Sequence, residues 1–171
     1  MVKQQKKRIG VFLFALFFCL HASGNVYALE AGSNAPDFEL PGKQGTVKLS
    51  SRAGSIVYVD FWASWCGPCR QSFTWMNSMQ DKYKSRGLEI IGINLDAENE
   101  DARKFLAQTP AKFTIAFDSK GVAPRLYGVK GMPTSYLIGR DGKVLFRHTG
   151  FKAADREKLE KQIQAALEAK K

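Results

Sequence analysis

The stretch Ile56-Val57-Tyr58-Val59-Asp60-Phe61-Trp62-Ala63-Ser64-Trp65-Cys66-Gly67-Pro68-Cys69 joins a β-branched and aromatic run to a Cys-x-x-Cys motif. A near-continuous run of this kind suits a central strand buried on both faces. The residues that follow, to about Tyr83, carry Phe73, Met76, Met79, Gln80 and Tyr83 at helical spacing and end near Gly87, which predicts a helix. Strand, turn and helix therefore follow one another directly, with the cysteines at the turn. A second strand over residues 88–95 and a second helix over 98–108, closed by Thr109-Pro110, complete a parallel β-α-β unit.

On the N-terminal side, residues 31–51 read as a turn and a short hairpin around Thr46-Val47-Lys48-Leu49. On the C-terminal side, 114–117 reads as a strand and 122–127 as a helical turn. Gly131-Met132-Pro133-Thr134 is a break before a strand over 135–138. Asp141-Gly142 marks a hairpin turn into a strand over 144–149. Residues 154–169 place Leu159, Ile163, Ala166 and Leu167 on one stripe, a helix that should cover a sheet face. The expected fold class is α/β, a central mixed β-sheet flanked by helices on both faces.

A chain of 171 residues with 44% hydrophobic composition fills one core, and it shows no internal repeat or linker. Its net charge of +10 raises the question of nucleic acid. Lys3, Lys6, Lys7 and Arg8 supply four of those charges, which leaves +6, and the other cations alternate with acids, as in Glu98, Glu100, Asp101, Arg103 and Lys104. No basic stripe interleaved with aromatics results, so nucleic acid is not an expected partner.

The first residues have the order of a secretory signal: a basic stretch, an apolar run over 9–20, and a small-x-small site at Val26-Tyr27-Ala28. Cleavage there starts the mature chain near Leu29 and leaves 29–171 as its single domain. The apolar run is shorter than the ~20 residues of a spanning helix, and an uncleaved anchor is the alternative. Cys19 follows Phe17 and Phe18, where a lipobox wants small residues. Removing the signal removes Cys19 and leaves Cys66 and Cys69 in an oxidising compartment.

A bridge between cysteines three positions apart closes almost no loop, so its stabilisation lies at the low end of the usual ~2–4 kcal/mol, and redox chemistry explains the pair better than stapling. Cys66 at a helix start meets unpaired backbone N–H groups and the positive end of the macrodipole. Such placement lowers a cysteine pKa from ~8.5 into the range ~3.5–7.5. Cys69, one turn on, should be the more buried sulfur. The implied cycle is attack by Cys66 on a partner disulfide, a mixed disulfide, and resolution by Cys69. A zinc site needs about four N or S ligands, and Cys66, Cys69 and His148 are too few, so no metal is expected. No cofactor beyond the redox-active Cys66–Cys69 pair is expected either. Trp62 reads as core, and Trp65, beside an exposed Cys66, as a client-facing platform.

The segment Val59-Asp60-Phe61-Trp62-Ala63-Ser64-Trp65-Cys66-Gly67-Pro68-Cys69-Arg70 resembles the active-site segment of thioredoxins. With Ala35-Pro36-Asp37-Phe38-Glu39-Leu40, the signal, the Gly131–Thr134 break and the Asp141-Gly142 turn, the chain from residue 29 on is similar to the exported TlpA/ResA-like branch. The resemblance implies a thioredoxin fold and extracytoplasmic reduction of disulfides in protein clients, with re-reduction by a membrane electron donor. It also implies that Pro133 is a cis-proline facing the disulfide. Trp65, Gly67, Pro68, Met132 and Pro133 would form the client-binding surface, with extended clients pairing to the backbone at Met132. A monomer is expected. Apo-cytochrome c, a copper-site protein and general thiol repair all stay open as clients.

Three departures stand out. Thr74 occupies the place of a helix-kinking proline, which should leave the helix straighter. Gly92 occupies the place of a lysine opposite Asp60 and would leave room there for a water. Val59 and Ala63 stand where peroxiredoxins carry proline and threonine, so peroxidase activity is not indicated. Asp60, an acid inside an apolar strand, is the expected proton acceptor for Cys69. Gly67-Pro68 favours a reducing couple near about −270 mV; an oxidant near about −120 mV is the alternative. A non-catalytic client-binding module is a third reading.

Overall fold

The computed structural model describes residues 29–169, so the segment 1–28 expected to be a signal, with Cys19, lies outside the described residues. The strands are β1 (Glu39–Gly42), β2 (Gly45–Lys48), β3 (Ile56–Trp62), β4 (Leu88–Asn94), β5 (Thr114–Phe117), β6 (Thr134–Ile138) and β7 (Val144–Thr149). The helices are α1 (Gly67–Tyr83), α2 (Asn99–Gln108), α3 (Val122–Leu126) and α4 (Asp155–Glu168). One seven-stranded sheet has the order β2-β1-β5-β4-β3-β6-β7. β3, β4 and β5 run parallel, and β6 is antiparallel to β3. The mixed sheet flanked by helices is the fold class the sequence implies.

β3 is central because its sequence can be buried on both sides, and all seven of its residues are. Alternation sends Ile56, Tyr58 and Trp62 into one apolar cluster and Val57, Val59 and Phe61 into the other. The first cluster packs under α1, α2 and α4: Trp62, Phe73 and Phe105 meet at centroid distances of 4.7–5.0 Å. The second lies under α3 and the N-terminal lead, with Phe61, Tyr127 and Tyr136 at its centre. The Tyr127 hydroxyl donates to Pro36 O at 2.8 Å and ties down that lead.

α1 runs unbroken for 17 residues, with Thr74 inside it. Its buried positions include Phe73, Met76, Met79, Gln80 and Tyr83, the expected stripe. Gln80 has a job the pattern did not announce. β4 begins at Leu88, but β5 joins it only from Ile91 onward. Along the bare part of that edge the Gln80 side chain stands in for a strand: its Nε2 donates to Leu88 O at 3.3 Å and its Oε1 accepts from Ile90 N at 3.0 Å.

β6 begins at Thr134, one residue earlier than expected. The Thr134 hydroxyl closes the preceding turn by donating to Gly131 O at 2.7 Å. At the far end of the chain Arg140 donates to the carbonyls of Ala166, Leu167 and Ala169, which satisfies the last turn of α4.

Replacing Gln80 with Leu strands two buried backbone groups, each costing about 1–3 kcal/mol when unpaired. The urea midpoint of Gln80→Leu should fall by an amount equivalent to about 2 kcal/mol, while the Cys66/Cys69 potential stays unchanged. An unaltered midpoint would show that water replaces the amide at no cost.

Candidate active site

β3 ends at Trp62, and the chain then has to leave the sheet and start a helix within four residues. Ala63 remains buried, and Cys66 N–H donates back to Ala63 O at 3.1 Å, which forms the turn. Asp96, just past β4, fixes that turn from the side. Its carboxylate accepts from Ser64 N–H at 3.0 Å, from the Ser64 hydroxyl at 3.1 Å and from Asn94 Nδ2 at 2.8 Å. Asp96 N–H in turn donates to Asn94 Oδ1 at 3.1 Å. Asn94 and Asp96 are buried and position the active-site loop. They were missed from the sequence, where the available signal was two polar residues, spaced by two, at the end of an otherwise apolar strand beside a β-α crossover.

Cys66 is the N-cap residue of α1, and its Sγ accepts from Cys69 N–H at 3.3 Å. The sulfur occupies the place of a capping oxygen, at the positive end of the helix. Gly67 and Pro68 are the first helical residues, where the missing proline N–H leaves no helix bond unmade. Cys66 and Cys69 are joined by a disulfide with their Cα atoms 5.3 Å apart. Cys69 is fully buried, as expected. Cys66 is only 5% exposed, against the expected open sulfur, whereas Trp65 beside it is 74% exposed. The cap geometry turns the sulfur of Cys66 toward the helix and leaves Trp65 as the prominent group at this end.

The Met132–Pro133 peptide bond is cis. The register Phe61↔Thr134 brings Pro133 level with the end of β3 from which the cysteine turn departs. Met132 packs against the apolar cluster that contains both cysteines. Among the described residues, its backbone N–H and C=O have no hydrogen-bond partner. Trp65, Gly67, Pro68, Met132 and Pro133 thus gather at one end of the sheet with the disulfide. Among the described residues, no group of three or more His, Cys, Asp or Glu side chains is arranged to hold a metal ion.

Asp60 is 2% exposed, lies on the face of β3 that α1 covers, and is paired in register with Gly92. Burial holds its carboxyl well above the usual carboxylate range. Among the described residues its Oδ2 has no hydrogen-bond partner. The expected room at Gly92 is not there. A Cβ at that position would stand 3.0 Å from the Phe113 ring, 3.2 Å from Trp62 Nε1 and 3.3 Å from Ile115. Side chains arriving from β5 and the segment before it fill the space that the missing lysine would have taken.

A carboxyl whose folded pKa lies above its unfolded value of ~3.9 costs nothing below that value and costs progressively more as pH rises through the folded pKa. Stability from this group is therefore lost toward neutral and alkaline pH. Asp60→Asn should melt about 2 °C or more higher than the wild type at roughly pH 7.5, with the difference gone at about pH 4. Thermal unfolding at the two pH values checks this, and an equal difference at both would mean that burial does not shift the group.

Residues 31–147 match the AhpC/TSA family. The chain is 36% identical over 139 residues to the thiol-disulfide oxidoreductase ResA of Bacillus thuringiensis subsp. konkukian, covering 80% of this chain and 78% of that one. It is also 36% identical over 162 residues to ResA of Bacillus anthracis, covering 93% and 86%. Among solved structures it is similar to one described as a thiol:disulfide interchange protein DsbE from Chlorobium tepidum. That pair has a TM-score of 0.81 and 67% identity over 82% of this chain and 99% of that one. A second, described as a protein disulfide isomerase from Bacteroides thetaiotaomicron, has a TM-score of 0.77 and 28% identity, over 84% of this chain and 93% of that one. The chain belongs to the AhpC/TSA family, among its ResA-like thiol-disulfide oxidoreductases.

Proposed function

We propose that this protein is exported and reduces disulfides in other proteins through Cys66 and Cys69, drawing its electrons from a membrane dithiol donor. The observation that carries this reading is the gathering of a helix-capping Cys66, the buried Cys69 and cis-Pro133 with an unpaired Met132 backbone at one end of the sheet. Export rests on the signal-like order of residues 1–28. Among the described residues no helix is long and apolar enough to cross a membrane.

In the reduced enzyme the Cys66 thiolate is held by the Cys69 N–H and the start of α1, which lowers the cost of its charge. A client segment lies extended along Met132, pairing main chain to main chain, so that sequence matters little and Trp65 supplies apolar contact. Cys66 attacks one client sulfur and the other leaves. Cys69 gives its proton to Asp60 and attacks Cys66, which releases the reduced client and restores the disulfide. No cofactor enters the cycle.

Equilibration with glutathione should place the couple nearer −270 than −120 mV, values typical of reducing and oxidising members of the fold respectively. A result near the second figure would make the protein an oxidant of its clients. Cys69→Ala should hold clients as mixed disulfides through Cys66, and recovery of none would favour a non-catalytic binding module. Asp60→Asn should slow resolution by about 10² while changing the Cys66 attack less. Stopped-flow measurement of the two steps decides, and equal resolution rates would reduce Asp60 to a structural acid.

A further inference from the structure

The row of side chains through Asp60 continues across the sheet. Asp60 on β3 is directly opposite Ser135 on β6, and Ser135 is directly opposite His148 on β7. Directly opposed residues share a face, with Cβ atoms about 4.5–5.5 Å apart, so these three form one transverse line. The Tyr58 hydroxyl joins it by donating to Ser135 Oγ at 2.7 Å. At the outer end, His148 Nε2 stands 3.4 Å from Asp155 Oδ2, at the start of α4.

Burial grades along the line. Asp60 and Ser135 are 2% and 3% exposed, whereas the His148 and Asp155 side chains are 21% and 28% exposed. Among the described residues, each end also carries a buried polar atom with no hydrogen-bond partner: Asp60 Oδ2 at the inner end and His148 Nε2 at the outer. Buried polar atoms are ordinarily satisfied, and short gaps between them are where a bridging water is worth as much as a direct bond. The groups facing His148 are Ser135 from β6, Asp155 from α4 and, past Ser135, Tyr58 and Asp60 from β3. Its neighbour Arg147 lies on the other sheet face, opposite Tyr136.

The geometry points to this line as the route by which Asp60 passes its proton to solvent, with His148 as its outer terminus. The inference rests on the proposed role of Asp60. During resolution the Cys69 S–H bond breaks and its proton goes to Asp60. The Cys69 electron pair forms the new bond to Cys66, the bond between Cys66 and the client breaks, and the client sulfur leaves as a thiolate that is protonated by water. Asp60 passes the proton on as it arrives: the Ser135 hydroxyl accepts it and gives up its own to the imidazole of His148, which passes one to the part-exposed Asp155 carboxylate 3.4 Å away and so to solvent. One proton leaves Cys69 for solvent and one reaches the client from solvent, so the ledger closes. His148 touches neither sulfur and is a positioning and proton-transfer residue.

The test is the resolution rate of a preformed mixed disulfide between Cys66 and a peptide thiol. His148→Ala and Ser135→Ala should each slow resolution about fivefold or more at roughly pH 7, with attack by Cys66 within about twofold of wild type. The double variant should be no slower than the slower single one, as for two members of one route. Added imidazole should restore His148→Ala and not Ser135→Ala. His148→Gln, which fills the space without titrating, should remain slow.

Wild-type resolution in both His148 variants, or a slowing that imidazole does not relieve, overturns the route. Asp60→Asn separates the two ideas. If it is slow while the His148 variants are fast, the route alone fails. If it resolves like wild type, the role of Asp60 fails and takes the route with it.

Discussion

Seven consecutive buried side chains in β3 set the terms for everything around them. A strand that is apolar on both faces and hydrogen-bonded along both edges has no freedom of register. Slipping by one residue would exchange Tyr58 and Trp62 for Val57 and Phe61 in each cluster. Both sets would stay buried, but each would be forced into a cluster shaped for the other, and misfit of that kind costs about 1–3 kcal/mol at each site. Fixing β3 fixes the point at which the chain leaves the sheet, and that point is the Cys66 turn. The same register puts Pro133 alongside it and Asp60 beneath it.

The chemistry follows from two opposed electrostatic settings on either side of that point. Cys66 sits where helix N–H groups favour a negative charge, and Asp60 sits where burial disfavours one. In the proposed cycle these settings suit one sulfur to attack and one carboxyl to hold a proton, although both belong to the same strand-turn-helix unit. The Asn94–Asp96–Ser64 hydrogen bonds keep these settings from drifting, because they lock the loop between them to the neighbouring strand.

Much of this was legible in the sequence because it is local. The run over 56–62, the helical stripe from Phe73 to Tyr83 and the Asp141-Gly142 turn each declare themselves within a few residues, and the corresponding elements lie within a residue or two of expectation. Resemblance supplied cis-Pro133 and the pairing of Asp60 with Gly92, which spacing alone could not. What escaped depends on contacts between distant segments. Gln80 reads as one more position on a helix face until β5 is seen to start late beside β4. Gly92 reads as empty space until Phe113 and Ile115 arrive to fill it. Cys66 reads as exposed until its sulfur is seen folded onto the helix it caps. The first two are consequences of strand order and register, which no local pattern encodes, and the third of cap geometry within one helical turn.

The β1–β2 hairpin is attached in an unequal way. Its two strands share four paired positions with each other, but β1 meets β5 at the single pair Gly42↔Ala116. What holds it is the burial of Phe38, Leu40, Val47 and Leu49 against the second apolar cluster. Mechanically it is a flap glued by its face and barely stitched along its seam. A pull applied at residue 29 would first meet the hydrogen bonds that join Gly32, Ser33 and Ala35 to Gly142 and Val144, and only behind them the glued face of the hairpin. β3, β4 and β6, each paired along both edges, lie deeper in the sheet. Tension on the N-terminal end is thus taken up by these short bonds from lead to turn before it reaches the strands that hold the cysteine turn.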